Sequence, residues 1–158
     1  MTKSLPEQIV DKITQIAELY YRFVLVVAPS GSGKTEALQE VAKSKGYRYI
    51  NINLELSRLL LELTQKQRSL KIPRILDDIV SSNEDRVVLL DNIEILFDVS
   101  LKQAPLRLIQ GLSRNKTLVV AWNGSMANGQ LIYADPDHPE YRRYSAADVV
   151  TITPELPL

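Results

Sequence analysis

The chain has 158 residues, enough to bury a real core, and reads as one domain, 1–158, whose N-terminal helix over 1–21 leads into that core. A hydrophobic content of 45%, a charged content of 24% and a formal net charge of zero are ordinary for a soluble globular chain and argue against a generally basic nucleic-acid binder. The absence of cysteine excludes disulfides and thiolate metal sites, and with no signal-peptide core and no membrane-length apolar run the expected location is cytoplasmic.

Ser4-Leu5-Pro6-Glu7 opens a helix. Ser4 can cap it, Glu7 stands three residues on, and Pro6 is tolerated in a first turn. Ile9, Ile13, Ile16 and Tyr20 recur at helical spacing along one apolar face. Phe23 to Val27 is apolar at odd and even positions, as in a short strand buried on both faces. Ala28 to Thr35, APSGSGKT, then fits [AG]-x-x-x-x-G-K-[ST], with Ala28 at the usual first Gly.

This loop is built for phosphate. Gly31 and Gly33 let the backbone aim successive N–H groups inward as an anion nest, flanked by Ser30 and Ser32. Lys34 brings a point charge to the outer phosphates, and Thr35 offers a hydroxyl to magnesium, which prefers hard oxygen ligands. The helix from Lys34 to Lys43 points its N-terminal dipole at the same place. ATP with magnesium is the expected ligand. No N-K-x-D motif for reading guanine is present.

Gly46 stops that helix, and Tyr47 to Asn53 alternates as a second strand. A leucine-rich helix is predicted over Leu54 to Leu70, with Leu56, Leu59, Leu60 and Leu63 on one stripe. Leu54 and Leu61 widen this surface, which reads as core or as a subunit contact. Lys66, Arg68, Lys71 and Arg74 form a basic run without acids, a solvated face or a contact for the DNA backbone. Pro73 to Ser82 is predicted as a further helix and Asn83-Glu84-Asp85 as a turn. Arg86 to Asp91 is a third strand, Leu101 to Ser113 a helix interrupted near Pro105, and Thr117 to Asn123 a fourth strand. Gly124 to Ala147 reads as loop, broken by DPDHP, before a fifth strand over Asp148 to Thr153. Alternating strands and helices predict an α/β fold: a five-stranded, mostly parallel sheet with helices on both faces.

Ligands of such sheets sit beyond the carboxyl ends of the strands. Asp91 ends one strand and can hold magnesium through water. Asn92 follows where many ATPases place a Glu, and Asn cannot take a proton. Glu94 is the nearest carboxylate, either a catalytic base or a solvent-facing residue. Asn123 ends the next strand, where its amide can orient water or touch the outer phosphate; the plainer reading of Asn123-Gly124 is a turn. Arg142 and Arg143, between Tyr141 and Tyr144, are candidates to reach a neighbouring subunit's nucleotide, with Arg114 a weaker one. His138 with Asp135 or Asp137 is a remote metal candidate, more simply a solvated loop.

These motifs together resemble the nucleotide-binding core of AAA+ ATPases. The resemblance implies that APSGSGKT is the Walker A loop, Asp91 the Walker B aspartate, Asn123 the polar sensor, and Arg142 or Arg143 the arginine finger. It departs at Asn92, and the AAA+ helical lid has no room after the fifth strand. More narrowly, LLDNIEILFDVSLKQAPLRLIQGLSRNKTLVVAWNG and HPEYRRYSAADV resemble the BrxF family of small P-loop proteins from type three BREX phage-defence systems. That resemblance implies a bacterial or archaeal cytoplasmic protein acting with other BREX components, among them a DNA methyltransferase and a larger ATPase. Two functions follow as expectations. One is a slow or partner-activated, magnesium-dependent ATPase that self-associates. The other is a nucleotide-dependent switch with negligible hydrolysis. A small-molecule kinase is third, for no arginine-rich lid segment is evident.

Overall fold

The computed structural model describes residues 3–82, 84–147 and 149–154. Asn83, read as part of a turn, and Asp148, read as the start of the last strand, lie outside the described residues. Helix α1 (Leu5–Gln15) begins where Ser4 Oγ accepts from the Glu7 N–H at 3.3 Å and donates to the Glu7 carboxylate at 2.9 Å. It stops at Ile16, short of the expected reach. Ala17 and Leu19 donate to carbonyls only three residues back, a tighter winding that takes Tyr20 off the apolar face. Tyr20 is 62% exposed and stands edge-on to Tyr21.

Five parallel strands carry the fold: β1 (Phe23–Ala28), β2 (Arg48–Asn51), β3 (Val87–Asp91), β4 (Thr117–Ala127) and β7 (Val150–Ile152), in the order β2-β3-β4-β1-β7. Continuous apolar runs were expected because both faces are covered, and β1 and β3 are buried throughout. Val24 and Val26 point to the side of α1 and α2 (Lys34–Lys45), where Leu38 and Val41 meet them. Leu25 and Val27 point to the other side, into a larger core with Leu56, Leu76, Phe97 and Trp122.

The region after β2 differs from expectation. Ile52 already begins α3 (Ile52–Leu60), capped by Asn51 Oδ1, which accepts from the Leu54 N–H at 3.0 Å. The predicted Leu54–Leu70 helix is broken at Leu61, and α4 runs unbroken from Gln65 to Ser81 through Pro73. Thr64 and Gln67 form a full capping box at its start. Proline lacks the N–H that Ser69 O would take, and Gln103 Nε2 donates to that carbonyl instead, at 2.8 Å. Leu56 and Leu60 are core, Leu63 is half-buried, and Leu54, Leu59 and Leu61 are exposed. Past β3 come 3-10 turns over Ile93–Phe97 and Val99–Leu101, and then α5 (Pro105–Leu112), with Pro105 in its first turn.

The larger correction is at 124–147. β4 continues past Asn123 to Ala127 and folds back into β5 (Gln130–Tyr133) and β6 (Arg142–Ser145), both antiparallel. Asn123-Gly124 lies inside a strand. The turn is Asn128-Gly129, whose φ values of 52° and 73° suit a two-residue hairpin. At Gly124 the strands touch: a Cβ there would lie 1.9 Å from Ile132 O, which accepts from Trp122 Nε1 at 3.1 Å. Gly124→Ala is therefore expected to cost about 1–3 kcal/mol. Thermal unfolding should show it, with a changed emission from Trp122, the only tryptophan.

Candidate functional site

The parallel register brings the sheet's polar strand ends together. Asn51 pairs with Asp91, and Ala28 with Asn123. Around them opens a cleft of about 110 Å³, lined by Ser30, Gly31, Gly33, Lys34, Thr35, Glu36, Asp91, Asn92, Glu94 and Asn123. Gly31 and Gly33 hold φ of 78° and 93° with open space where a Cβ would sit, so glycine is needed there for conformation alone. Ser32 is off the cleft wall, its hydroxyl donating to Pro29 O at 2.6 Å.

Lys34 is 5% exposed, and its ammonium donates to the Ala28 and Pro29 carbonyls at 2.7 Å each. Burial lowers its pKa, and the carboxylates of Glu94 and Asp91 oppose that. Asp91 is 4% exposed and three donors hold it. Thr35 Oγ1 and Tyr49 OH donate to Oδ2 at 2.7 and 2.6 Å, and the Asn92 N–H donates to Oδ1 at 2.9 Å. Asp91 pushes the Tyr49 phenol's pKa up further than burial alone does. These oxygens are the hard donors magnesium takes, so Thr35 and Asp91 fit that ion.

Glu94 faces inward because Asn92 adopts a left-handed conformation, φ 55° and ψ 50°, that reverses the chain just past β3. Asn123 Nδ2 donates to Glu94 Oε1. Burial raises the Glu94 pKa, Asp91 adds to the rise, and Lys34 and Asn123 oppose it. A raised folded pKa means that the folded protein binds the proton more tightly than the unfolded chain. The contribution of Glu94 to stability therefore falls as pH rises from about 4.3, the unfolded value, through the folded one. Glu94→Gln keeps the acceptor for Asn123 and cannot ionise. It is expected to unfold roughly 2–4 °C above the native protein at pH 7, a gain that shrinks by pH 4.

The arginines stand elsewhere. Arg142 and Arg143 lie on β6, the outer strand of the hairpin, and not in the loop before the last strand. Arg143 is exposed and donates to Gln130 Oε1; Arg142 donates to Tyr141 O at 3.0 Å. Neither lines the cleft. Arg114 precedes β4, at the opposite end of the sheet, with its guanidinium 5.1 Å from the centre of the Tyr20 ring. Aromatic stacking ties the hairpin to the cleft: Phe97, on the Glu94 turn, stacks on Tyr133 at 3.5 Å and meets Trp122 edge-on at 5.3 Å. His138 Nδ1 accepts from the Glu140 N–H at 3.0 Å. Among the described residues no three His, Asp or Glu side chains gather as a metal site. Of the basic run on α4, Lys66, Lys71 and Arg74 are exposed. Arg68 caps the end of α3, donating through Nε to Leu60 O and Leu63 O at 2.9 and 3.1 Å.

Among the described residues no helix is long and apolar enough to cross a membrane. The family described as ATPase family associated with various cellular activities (AAA) matches residues 24–124. A DNA replication initiation factor superposes with a TM-score of 0.51 at 16% identity, over 99% of this chain and 48% of that one. AMPPCP-bound DnaA from Aquifex aeolicus gives 0.44 at 18% identity, over 77% and 39%. PCH-2 of C. elegans gives 0.44 at 19% identity, over 94% and 39%. The chain thus spans less than half the length of these proteins, and likeness at such identity is one of fold. No curated protein matches it by sequence.

Proposed function

Since the chain belongs to the AAA family of ATPases, we propose that it binds ATP with magnesium and hydrolyses it slowly until a second copy or a partner completes the site. One observation carries this reading. Lys34, Thr35, Asp91, Glu94 and Asn123 line a single cleft beside the phosphate nest, and among the described residues no arginine lines it. The loop N–H groups and Lys34 would bind the triphosphate. Thr35 and Asp91 would hold magnesium, which when bound neutralises charge on the outer phosphates. Glu94, held by Asn123, would orient a water molecule and take its proton. Burial raises the Glu94 pKa, which makes its carboxylate a stronger proton acceptor. Arg142 or Arg143 would act on the nucleotide of a neighbouring subunit.

The likeness of residues 89–124 and 138–149 to BrxF supports a setting in BREX phage defence, alongside that system's other proteins. The second reading, a nucleotide switch with negligible turnover, is favoured by Asn92 in place of a carboxylate.

Calorimetric titration of ATP with and without magnesium tests the binding half, and phosphate release the other. Asp91→Asn is expected to lose most of the magnesium enhancement of binding while keeping magnesium-free affinity within about threefold. An unchanged magnesium response would remove Asp91 from the site.

A further inference from the structure

We infer that Tyr49 is a positioning residue for the magnesium site, its hydroxyl fixing which oxygen of Asp91 is left to face the metal. The inference rests on the ATP and magnesium reading above. It starts from the hydrogen-bond capacity of one carboxylate. An ionised carboxylate has about four lone-pair positions, two on each oxygen. Oδ2 of Asp91 accepts from Thr35 Oγ1 at 2.7 Å and from Tyr49 OH at 2.6 Å, so both its positions are used. Among the described residues Oδ1 accepts only the Asn92 N–H, at 2.9 Å. One position remains, and it is on Oδ1.

The Tyr49 bond has the length of a charge-assisted O–H···O⁻ contact, and Asp91 is buried, where such bonds are strong. Tyr49 reaches it from β2, the strand beside β3, where it pairs with Leu89, two residues before Asp91 on the same face. Its partner in the task, Thr35, belongs to the phosphate loop and would itself be a metal ligand. Tyr49 is the donor to Oδ2 that belongs neither to the loop nor to the metal site. Without it, one position on Oδ2 is free and the carboxylate can turn. Removing such an outer partner typically costs about 10–100-fold in metal affinity. Magnesium demands near-octahedral geometry, whereas calcium tolerates varied geometry, so the loss should fall harder on magnesium.

The test is Tyr49→Phe, which keeps the half-buried ring and removes only the hydroxyl. ATP affinity is measured by calorimetry in chelator, then across magnesium and calcium titrations, beside native protein and Asp91→Asn. Thermal unfolding is followed in parallel. The expected result is chelator affinity within about twofold of native, and a magnesium midpoint raised at least about tenfold, with a smaller rise for calcium. A purely structural tyrosine would shift chelator affinity and both metals alike, and that result overturns the role. So does a native magnesium midpoint in Tyr49→Phe when Asp91→Asn has lost its response. If Asp91→Asn also responds as native, the magnesium reading itself falls, and Tyr49's role with it.

Discussion

Replacing Lys34 with alanine is expected to weaken ATP binding about a hundredfold and to leave the fold standing. The lysine is buried, with its ammonium held by two carbonyls of its own loop at 2.7 Å. An arriving phosphate exchanges those neutral acceptors for charged ones, and hydrogen bonds to charged groups contribute about 1.5–3 kcal/mol. The upper figure is about a hundredfold in affinity. The fold tolerates the loss because a buried ammonium costs desolvation, as its lowered pKa shows, and that cost vanishes with the side chain. The Pro29 carbonyl keeps a donor, for the Ser32 hydroxyl reaches it at 2.6 Å. Calorimetry on a variant with a native melting temperature is the measurement, and native affinity would remove the loop from phosphate binding.

The second large effect is on turnover. Among the described residues no arginine lines the cleft, and both candidates sit on β6. An arginine supplied by a neighbour is worth roughly a thousandfold or more in rate. Specific activity should therefore rise with protein concentration, and Arg142→Ala with Arg143→Ala should abolish the rise while ATP still binds. Mixing that double variant with Lys34→Ala should restore part of the rate, because each subunit then provides what the other has lost. Specific activity that is negligible and flat across concentration would leave the nucleotide switch as the function.

The parts legible in the sequence are those fixed by neighbours along the chain. The apolar run of β1, the glycines and Lys34 of the loop, and Asp91 at the end of β3 needed only local spacing. Glu94 was ambiguous because its direction depends on one backbone angle, the positive φ at Asn92. The α3–α4 break carried a local signal, Thr64 to Gln67 as a capping box, hidden by the leucines on either side. The hairpin also had one, Asn128-Gly129 between short apolar segments, masked by the earlier Asn123-Gly124. Pro73 and Tyr49 could not be read this way. The first is tolerated because Gln103 supplies a donor from elsewhere in the chain, and the second acts across the sheet on Asp91.

The stack of Phe97 on Tyr133 puts the turn that walls the cleft in direct contact with the hairpin. Phe97 ends the turn that bears Glu94, and Tyr133 pairs with Arg142 across β5 and β6. If a neighbour bound at the hairpin, the two binding equilibria would share a coupling free energy, and coupling is reciprocal. If nucleotide tightens the grip of this hairpin on a neighbour by some factor, that neighbour tightens the grip on nucleotide by the same factor. A protein built so would gain affinity for its fuel by assembling, and its cellular concentration would set how much of it is loaded.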